Sequence, residues 1–386
     1  MGNLTLAVGG LWGTIIGWFQ SGVASFGLTI ILFTVALKLV LSPLEIYQKV
    51  SSKKTMEKQA VLQPKLEKLQ KQYGHNKELL NQKTMELYKK ENFNMTGSCL
   101  GMLINLVITI VVFFTLFSSL NQISQYNIKT EYTQLTENYK TVLATKLKEE
   151  AESKSITISV DADLNTILTA INDSTLTEEE KTELITSSKA FAKRETANYY
   201  GEIKEGFLWI KNIYRPDTYA STFPNSNEYL AISGTNFNSV SDENPYIDDI
   251  YGVSYTDKEQ AKQAFANNFD EVAGDINIVY SGWNGWLILV VLAAGVTILS
   301  LFISNLGTKP KPVYDKKGNE IPVKKQNNFI MMAILPIFMV IFTLQYSAAF
   351  ALYIVVNSLM SVLIGLVTTL VMNKIEKSKE KKKEGV

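Results

Sequence analysis

"GLTIILFTVALKLVLSPLEIYQ" runs from Gly27 to Gln48 and is apolar as far as Leu44, except for Lys38. Crossing a hydrocarbon core takes about 20 helical residues, so this stretch is long enough to span a bilayer. Lys38 would then place an ammonium inside the membrane, where even lenient insertion scales put its cost at about 2.5 to 3.5 kcal/mol. Counted back from Glu45 at about 1.5 Å per residue, it lies roughly 10 Å from the polar end of the span. Either its stem lies along lipid while the ammonium reaches up to the headgroups, or it belongs to a polar site shared with other helices.

Four further runs have the same apolar character. The reading is an all-α membrane protein with spans at 22–44, 98–119, 283–305, 328–346 and 347–372. The 386 residues carry a formal net charge of only +1, but the charges are sorted along the chain. Residues 45–96 hold 11 Lys against 6 acids, residues 306–327 hold 6 against 2, and the tail 373–386 holds 6 against 3. Between the second and third spans the balance reverses, with 14 Lys and Arg against 26 acids in residues 120–282. Lys and Arg near span ends are retained on the cytoplasmic side. That rule places the N-terminus outside and the C-terminus inside. The hairpin segment 45–97, the loop 306–327 and the basic tail then lie in the cytoplasm, and 120–282 forms an acidic extracytoplasmic domain.

Residues 1–21 contain no Lys or Arg, unlike the positive leading region of a removable signal peptide. Trp12, Ile15, Ile16 and Phe19 fall at helical spacing and suit a short helix lying in the outer interface. After Pro43, Leu62, Leu66, Leu69 and Tyr73 repeat at helical spacing, "GHN" at 74–76 breaks the pattern, and Leu80, Met85, Leu87 and Tyr88 resume it. This predicts a helical hairpin with His75 exposed at its turn and Pro64 kinking or starting the regular part of the first arm. In the acidic segment, Thr177 and Glu180 predict a capping box opening a helix over about 177–213. Residues 216–250 read as loop, and the chain returns to helix from 256. The single Cys99 excludes an intrachain disulfide and packs as a small apolar residue.

Lys38 has polar company at similar depth. Asn105 lies in the second span, Thr297 and Ser300 in the third, and Asn357 and Ser361 in the fifth. A lone Ser or Thr in such a helix usually bonds its own backbone carbonyl. A carboxamide is harder to satisfy internally, so Asn105 and Asn357 weigh more. Together with Lys38 these residues describe a polar cavity open to the cytoplasm, and intramembrane polar groups default to a functional site. The spans hold no Asp, Glu, His or Cys-His pair for proton transfer, metal binding or nucleophilic attack, and the chain has no Gly-rich phosphate loop. The reading is a non-enzyme without cofactor or metal. A small-solute secondary transporter is the alternative. Such proteins usually show repeats and paired broken helices, which this chain does not. A receptor acting through its outer domain would leave Lys38 without a role.

"GLTIILFTVALKLVLSPLEIYQKVSSKKTMEKQAVLQPKLEKLQKQYG", "MELYKKENFN", "GSCLGMLINLVI", "GFLWIKNIYRPD", "ILPIFMVIF" and "FALYIVVNSLMSV", in this order, resemble the YidC family of membrane protein insertases. The resemblance is to its Gram-positive type, here with an enlarged extracytoplasmic insertion near 120–205. It implies five core helices around a hydrophilic groove that opens to the cytoplasm and inner leaflet and is closed outside. It also implies a function in inserting nascent membrane proteins, alone or beside the Sec channel. Lys38 stands where the family's groove arginine is expected, Asn105 where a glutamine is usual and Gly101 where a proline is usual. Lysine lacks the guanidinium fork that holds a carboxylate with two bonds. The resemblance and the charge pattern together name nascent chains, the Sec translocon, the lipid bilayer and, through the tail 374–383, the ribosome as partners. They place the protein in the bacterial plasma membrane.

Overall fold

The computed structural model describes residues 8–91, 95–280, 282–306, 313–314, 320–321 and 329–383, and within its helices the side chains of Cys99, Gly101 and Asn105 lie outside the described set. The chain divides into two compact units. One comprises residues up to Thr14, Leu120–Ile288 and Leu344–Ala349, and the other Ile15–Ser119, Leu289–Thr343 and Phe350–Val386.

The helices are long. After α1 (Gly10–Gln20), α2 runs unbroken from Phe26 to Tyr73, so the first apolar stretch and the first hairpin arm are one helix. The sequence reading makes Pro43 a boundary and Pro64 a kink or a start, yet both lie inside α2. A proline removes one backbone donor and so orphans the carbonyl four residues earlier. For Pro43 that carbonyl is Leu39, and the Ser42 hydroxyl donates to it at 2.8 Å. At the far end Gly74 and His75 make the turn, His75 is exposed, and Asn76 caps α3 (Lys77–Lys90) by accepting from the Leu79 amide at 3.1 Å. α3 packs back along α2, with Lys65 paired to Glu91 across the turn. The hairpin expected from the leucine spacing is therefore present.

α4 (Met95–Ser153) carries the second apolar run onward into the acidic segment as one helix of 59 residues. α5 (Leu164–Asn172) and α6 (Glu178–Ile203) follow. The capping box forms: the Thr177 hydroxyl accepts from the Glu180 amide and the Glu180 carboxylate accepts from the Thr177 amide. However, α6 stops ten residues before the expected end at 213. Residues 204–213 instead spend their backbone groups on loop contacts, the Ile213 amide donating to Glu205 at 2.8 Å and Lys211 to Asn284 at 3.0 Å. The stretch 216–250, expected as loop, holds a capped helix α7 (Ser226–Ser233) ending on the left-handed Gly234, and half of a short ladder. In that ladder β1 (Tyr246–Ile247) pairs antiparallel with β2 (Ser254–Tyr255). α8 (Lys258–Ala273), the expected return to helix, and α9 (Ile276–Val279) complete the segment.

The core of this first unit is aromatic. Tyr132 of α4 stacks on Tyr229 and Phe269 at 4.3 and 5.5 Å, and Tyr200 meets Phe223 at 5.3 Å. Beneath them the buried Glu131 accepts from the Asn212 carboxamide at 3.1 Å.

The second unit gathers the apolar helices α10 (Ile288–Leu306), α11 (Phe329–Gln345) and α12 (Ala348–Lys383), together with the apolar parts of α2 and α4. Between α10 and α11 a ladder pairs β3 (Val313–Tyr314) with β4 (Glu320–Ile321), and the rest of the expected cytoplasmic loop 306–327 lies outside the described residues. Phe113 and Phe117 of α4, Phe342 of α11 and Phe350 of α12 form one aromatic cluster with ring separations of 5.0 to 6.1 Å. Within the described residues, three helices are long and apolar enough to cross a membrane: Phe26–Thr55, Val107–Ser153 and Ala348–Ile375. Ile288–Ile303 and Pro336–Gln345 are shorter apolar helices. The fold is that of an all-α membrane protein.

Candidate functional site

α2 places Lys38, Glu45 and Lys49 on one stripe, because steps of seven and four residues return to nearly the same face of a helix. α12 faces them with Ser358, Ser361 and Gly365, again at steps of three and four. Lys38 is only 7% exposed. Its ammonium donates to the Glu45 carboxylate and to the Ser361 hydroxyl, the latter at 2.8 Å. Lys49 reaches the Gly365 carbonyl at 2.8 Å. A Cβ on Gly365 would stand 3.5 Å from that ammonium and 3.4 Å from an Ile303 methyl, so glycine leaves the carbonyl accessible at the junction of α10 and α12. Two turns from Gly365 along α12, the hydroxyls of Ser358 and Thr297 meet at 3.3 Å and join the same two helices.

These contacts separate the polar residues into two classes. Thr34, Thr343 and Thr368 donate to their own helix four residues back and need no partner. Lys38, Ser361 and Thr297 bond across helices or to another charged group. Of the residues singled out from sequence, the structure thus brings Lys38 and Ser361 into direct contact and sets Thr297 against Ser358. Ser300 and Asn357 are half-buried and make no side-chain hydrogen bond among the described residues. The Asn105 side chain lies outside the described residues.

Sequence reasoning missed Glu45, Ser358 and Lys49. The signal for Glu45 was its spacing of seven from Lys38, which puts a counterion two turns along the same face. A buried ion loses several kcal/mol of hydration, and only a close partner of opposite charge with further hydrogen bonds offsets this. Glu45 and Ser361 supply both. Lys38 accordingly turns toward the polar end of α2 without reaching open solvent. Chemically the cluster can hold a charge and exchange hydrogen bonds. Among the described residues no group of three or more His, Cys, Asp or Glu is arranged to hold a metal.

The family model described as 60Kd inner membrane protein matches residues 18–378. The membrane protein insertase YidC of Fusobacterium nucleatum subsp. nucleatum is 40% identical over 98 residues, which is 25% of this chain and 46% of that protein. The insertases of the same name from Anaeromyxobacter sp. and Blochmanniella floridana are 40% and 42% identical over 105 and 95 residues. Those matches cover 27% and 25% of this chain and 18% and 16% of the relatives, so the chain spans less than half the length of these proteins. No solved structure matches. Because the family match runs through α2, α4, α10, α11 and α12 and takes in Lys38, Glu45 and Ser361, the chain belongs to the 60Kd inner membrane protein family, the family of the YidC insertases.

Proposed function

We propose that this protein is a membrane protein insertase and chaperone that receives nascent membrane proteins in a hydrated groove between its apolar helices. The observation that carries the reading is the part-buried Lys38–Glu45–Ser361 cluster, centred on the buried Lys38 ammonium between apolar helices of a YidC-family chain. In this reading all five apolar helices cross the bacterial plasma membrane, with the N-terminus outside and the C-terminus in the cytoplasm. α1 lies in the outer interface, residues 45–97 form a cytoplasmic hairpin, and 120–282 form the extracytoplasmic domain. The groove, lined by Lys38, Asn105, Thr297, Ser300, Asn357 and Ser361, opens to the cytoplasm.

A client's polar leading segment enters the groove while its apolar segment moves between helices into lipid. Hydrophobic burial drives completion, and so does the membrane potential, worth about 2.3 kcal/mol per charge per 100 mV. No covalent step, cofactor or nucleotide is needed. Clients arrive alone or from the Sec translocon. The basic tail 374–383 recruits ribosomes, which deletion of 374–386 followed by ribosome co-sedimentation with the solubilised protein tests: unchanged binding would refute the tail's role.

The groove itself is tested by insertion in cells of paired substrates that differ only in the charge of their outer segment, at matched protein level. Lys38→Arg is expected to be tolerated. Lys38→Leu should impair acidic substrates most, and Lys38→Glu more still, because repulsion in a low-dielectric cleft is poorly screened. Equal insertion of acidic and neutral substrates by the Leu and Glu variants would show the ammonium to be passive.

A further inference from the structure

Lys38, Glu45 and Lys49 set two cations and one carboxylate along one stripe of α2, and they are not held alike. The Lys38 side chain is 8% exposed and the Glu45 side chain 29%. An ammonium carries three N–H donors and no acceptor. Lys38 directs one to Glu45 and one to the Ser361 hydroxyl, and the third has no partner among the described residues. Lys49, half-buried, donates to the Gly365 carbonyl and meets no carboxylate among the described residues. One acid thus faces two bases, and it is paired with the more buried of them.

The two members of the Lys38–Glu45 pair differ in what they lose on separation. Lys38 is buried between α2 and α12, so without a counterion its charge would stand uncompensated where water cannot reach it. Glu45 reaches water, and Lys49 stands four residues further along the same helix. A glutamate four residues N-terminal to a lysine is the favoured order for a helical ion pair. Glu45 therefore has a second partner available on its own helix, whereas Lys38 pairs with no second carboxylate among the described residues. A client that brings a carboxylate can take the place of Glu45 at Lys38 without loss of pairing, and Glu45 turning to Lys49 adds a further pair. A client that brings only neutral polar groups can bond to the third N–H of Lys38 and leave the pair intact. The same site thus distinguishes acidic from neutral clients by whether Glu45 moves.

We propose that Glu45 is the specificity-determining residue of the groove: its carboxylate occupies Lys38 when no client is bound and is displaced by the carboxylate of an acidic client segment, so that it limits how far acidic clients are preferred over neutral ones. The proposal rests on the reading of Lys38 as a groove residue that meets clients. The test uses the full chain in proteoliposomes and two ribosome-stalled clients that differ only in carrying Asp or Asn in the leading segment, each with a photoreactive residue beside that position. Both clients are expected to crosslink to the unaltered protein, the Asp client more. Glu45→Gln removes the competing carboxylate and should raise the ratio of Asp-client to Asn-client crosslinks several-fold, whereas a general loss of structure would lower both yields alike. Glu45→Asp keeps the charge and should return the ratio toward that of the unaltered protein. Lys38→Glu combined with Glu45→Lys keeps a pair of reversed polarity, and a client with Lys in place of Asp should then crosslink more than the Asn client. An unchanged ratio for Glu45→Gln would overturn the proposal, as would the absence of a preference for the Lys client by the reversed pair, which alone decides if Glu45→Gln does not accumulate. Crosslinking of neither client to the unaltered protein would instead remove the groove reading itself.

Discussion

Lys38 reads as a lone cation in an apolar helix, and the structure shows it paired, so its energetics are those of an ion pair. Removing one partner of a buried pair typically costs 3–5 kcal/mol, because the other charge is left uncompensated. Glu45 is 29% exposed at its side chain, and water there reduces the penalty. Glu45→Gln is therefore expected to cost about 1–3 kcal/mol, read as a lower thermal midpoint of the solubilised protein. Replacing both groups, Lys38→Leu with Glu45→Leu, should restore most of that stability while still impairing insertion of acidic substrates. An unchanged midpoint for Glu45→Gln would mean that the pair contributes nothing to folding. Seen from sequence, Glu45 looked like the boundary of the span, since it stands just past the last apolar residue. Only the reach of the Lys38 side chain along its own helix makes the two neighbours.

Among the elements, local signals were legible where a bond closes within one turn. The Thr177–Glu180 capping box formed as its residue types indicate. Loss of such a cap costs about 1 kcal/mol. Thr177→Ala should accordingly speed amide exchange in the first turn of α6 without altering exchange at its far end. Signals that depend on other helices were not legible. The aromatic cluster around Phe117 joins α4, α11 and α12, residues far apart in the chain. Truncating a fully buried aromatic side chain costs about 3–5 kcal/mol, and less for a half-buried ring such as that of Phe117. Phe117→Ala is expected to lower the midpoint of the solubilised protein by far more than Phe114→Ala, whose ring is exposed on the same helix. Equal shifts would show that the cluster does not hold these helices. The unbroken course of α2 through Pro43 had the same origin: Ser42 stands beside the proline in sequence, but whether its hydroxyl caps Leu39 is a matter of rotamer and register.

At the scale of the whole molecule, the connection between α11 and α12, residues 346–347, is fastened within the first unit. The Ala348 and Ala349 amides donate to the carbonyls of Arg215 and Ile213 at 2.8 and 3.0 Å, satisfying donors that every helix leaves open at its start. The Ser124 hydroxyl meets that of Ser347 at 2.9 Å. The proposed topology makes this connection extracytoplasmic. Cysteines introduced singly at Glu150, Asp315 and Glu380, in a background without Cys99, should react with an impermeant thiol reagent in intact cells only at position 150. Labelling at 315 or 380 would reverse the assignment of sides.

The sequence by itself determined that the chain is an all-α membrane protein, where its apolar helices lie, that a helical hairpin turns at 74–76, and that Lys38 has polar company. Each of these follows from apolar length, periodicity or charge count, which are properties of a segment alone. Tertiary structure decided which polar groups meet: Glu45 and Ser361 at Lys38, Ser358 at Thr297, Gly365 at Lys49. It also ended α6 at Ile203 and tied 211–217 to 284–286 by hydrogen bonds. A helix fixes the faces its residues occupy, but the rotation and register of its neighbours decide which faces touch, and those come from packing across the fold.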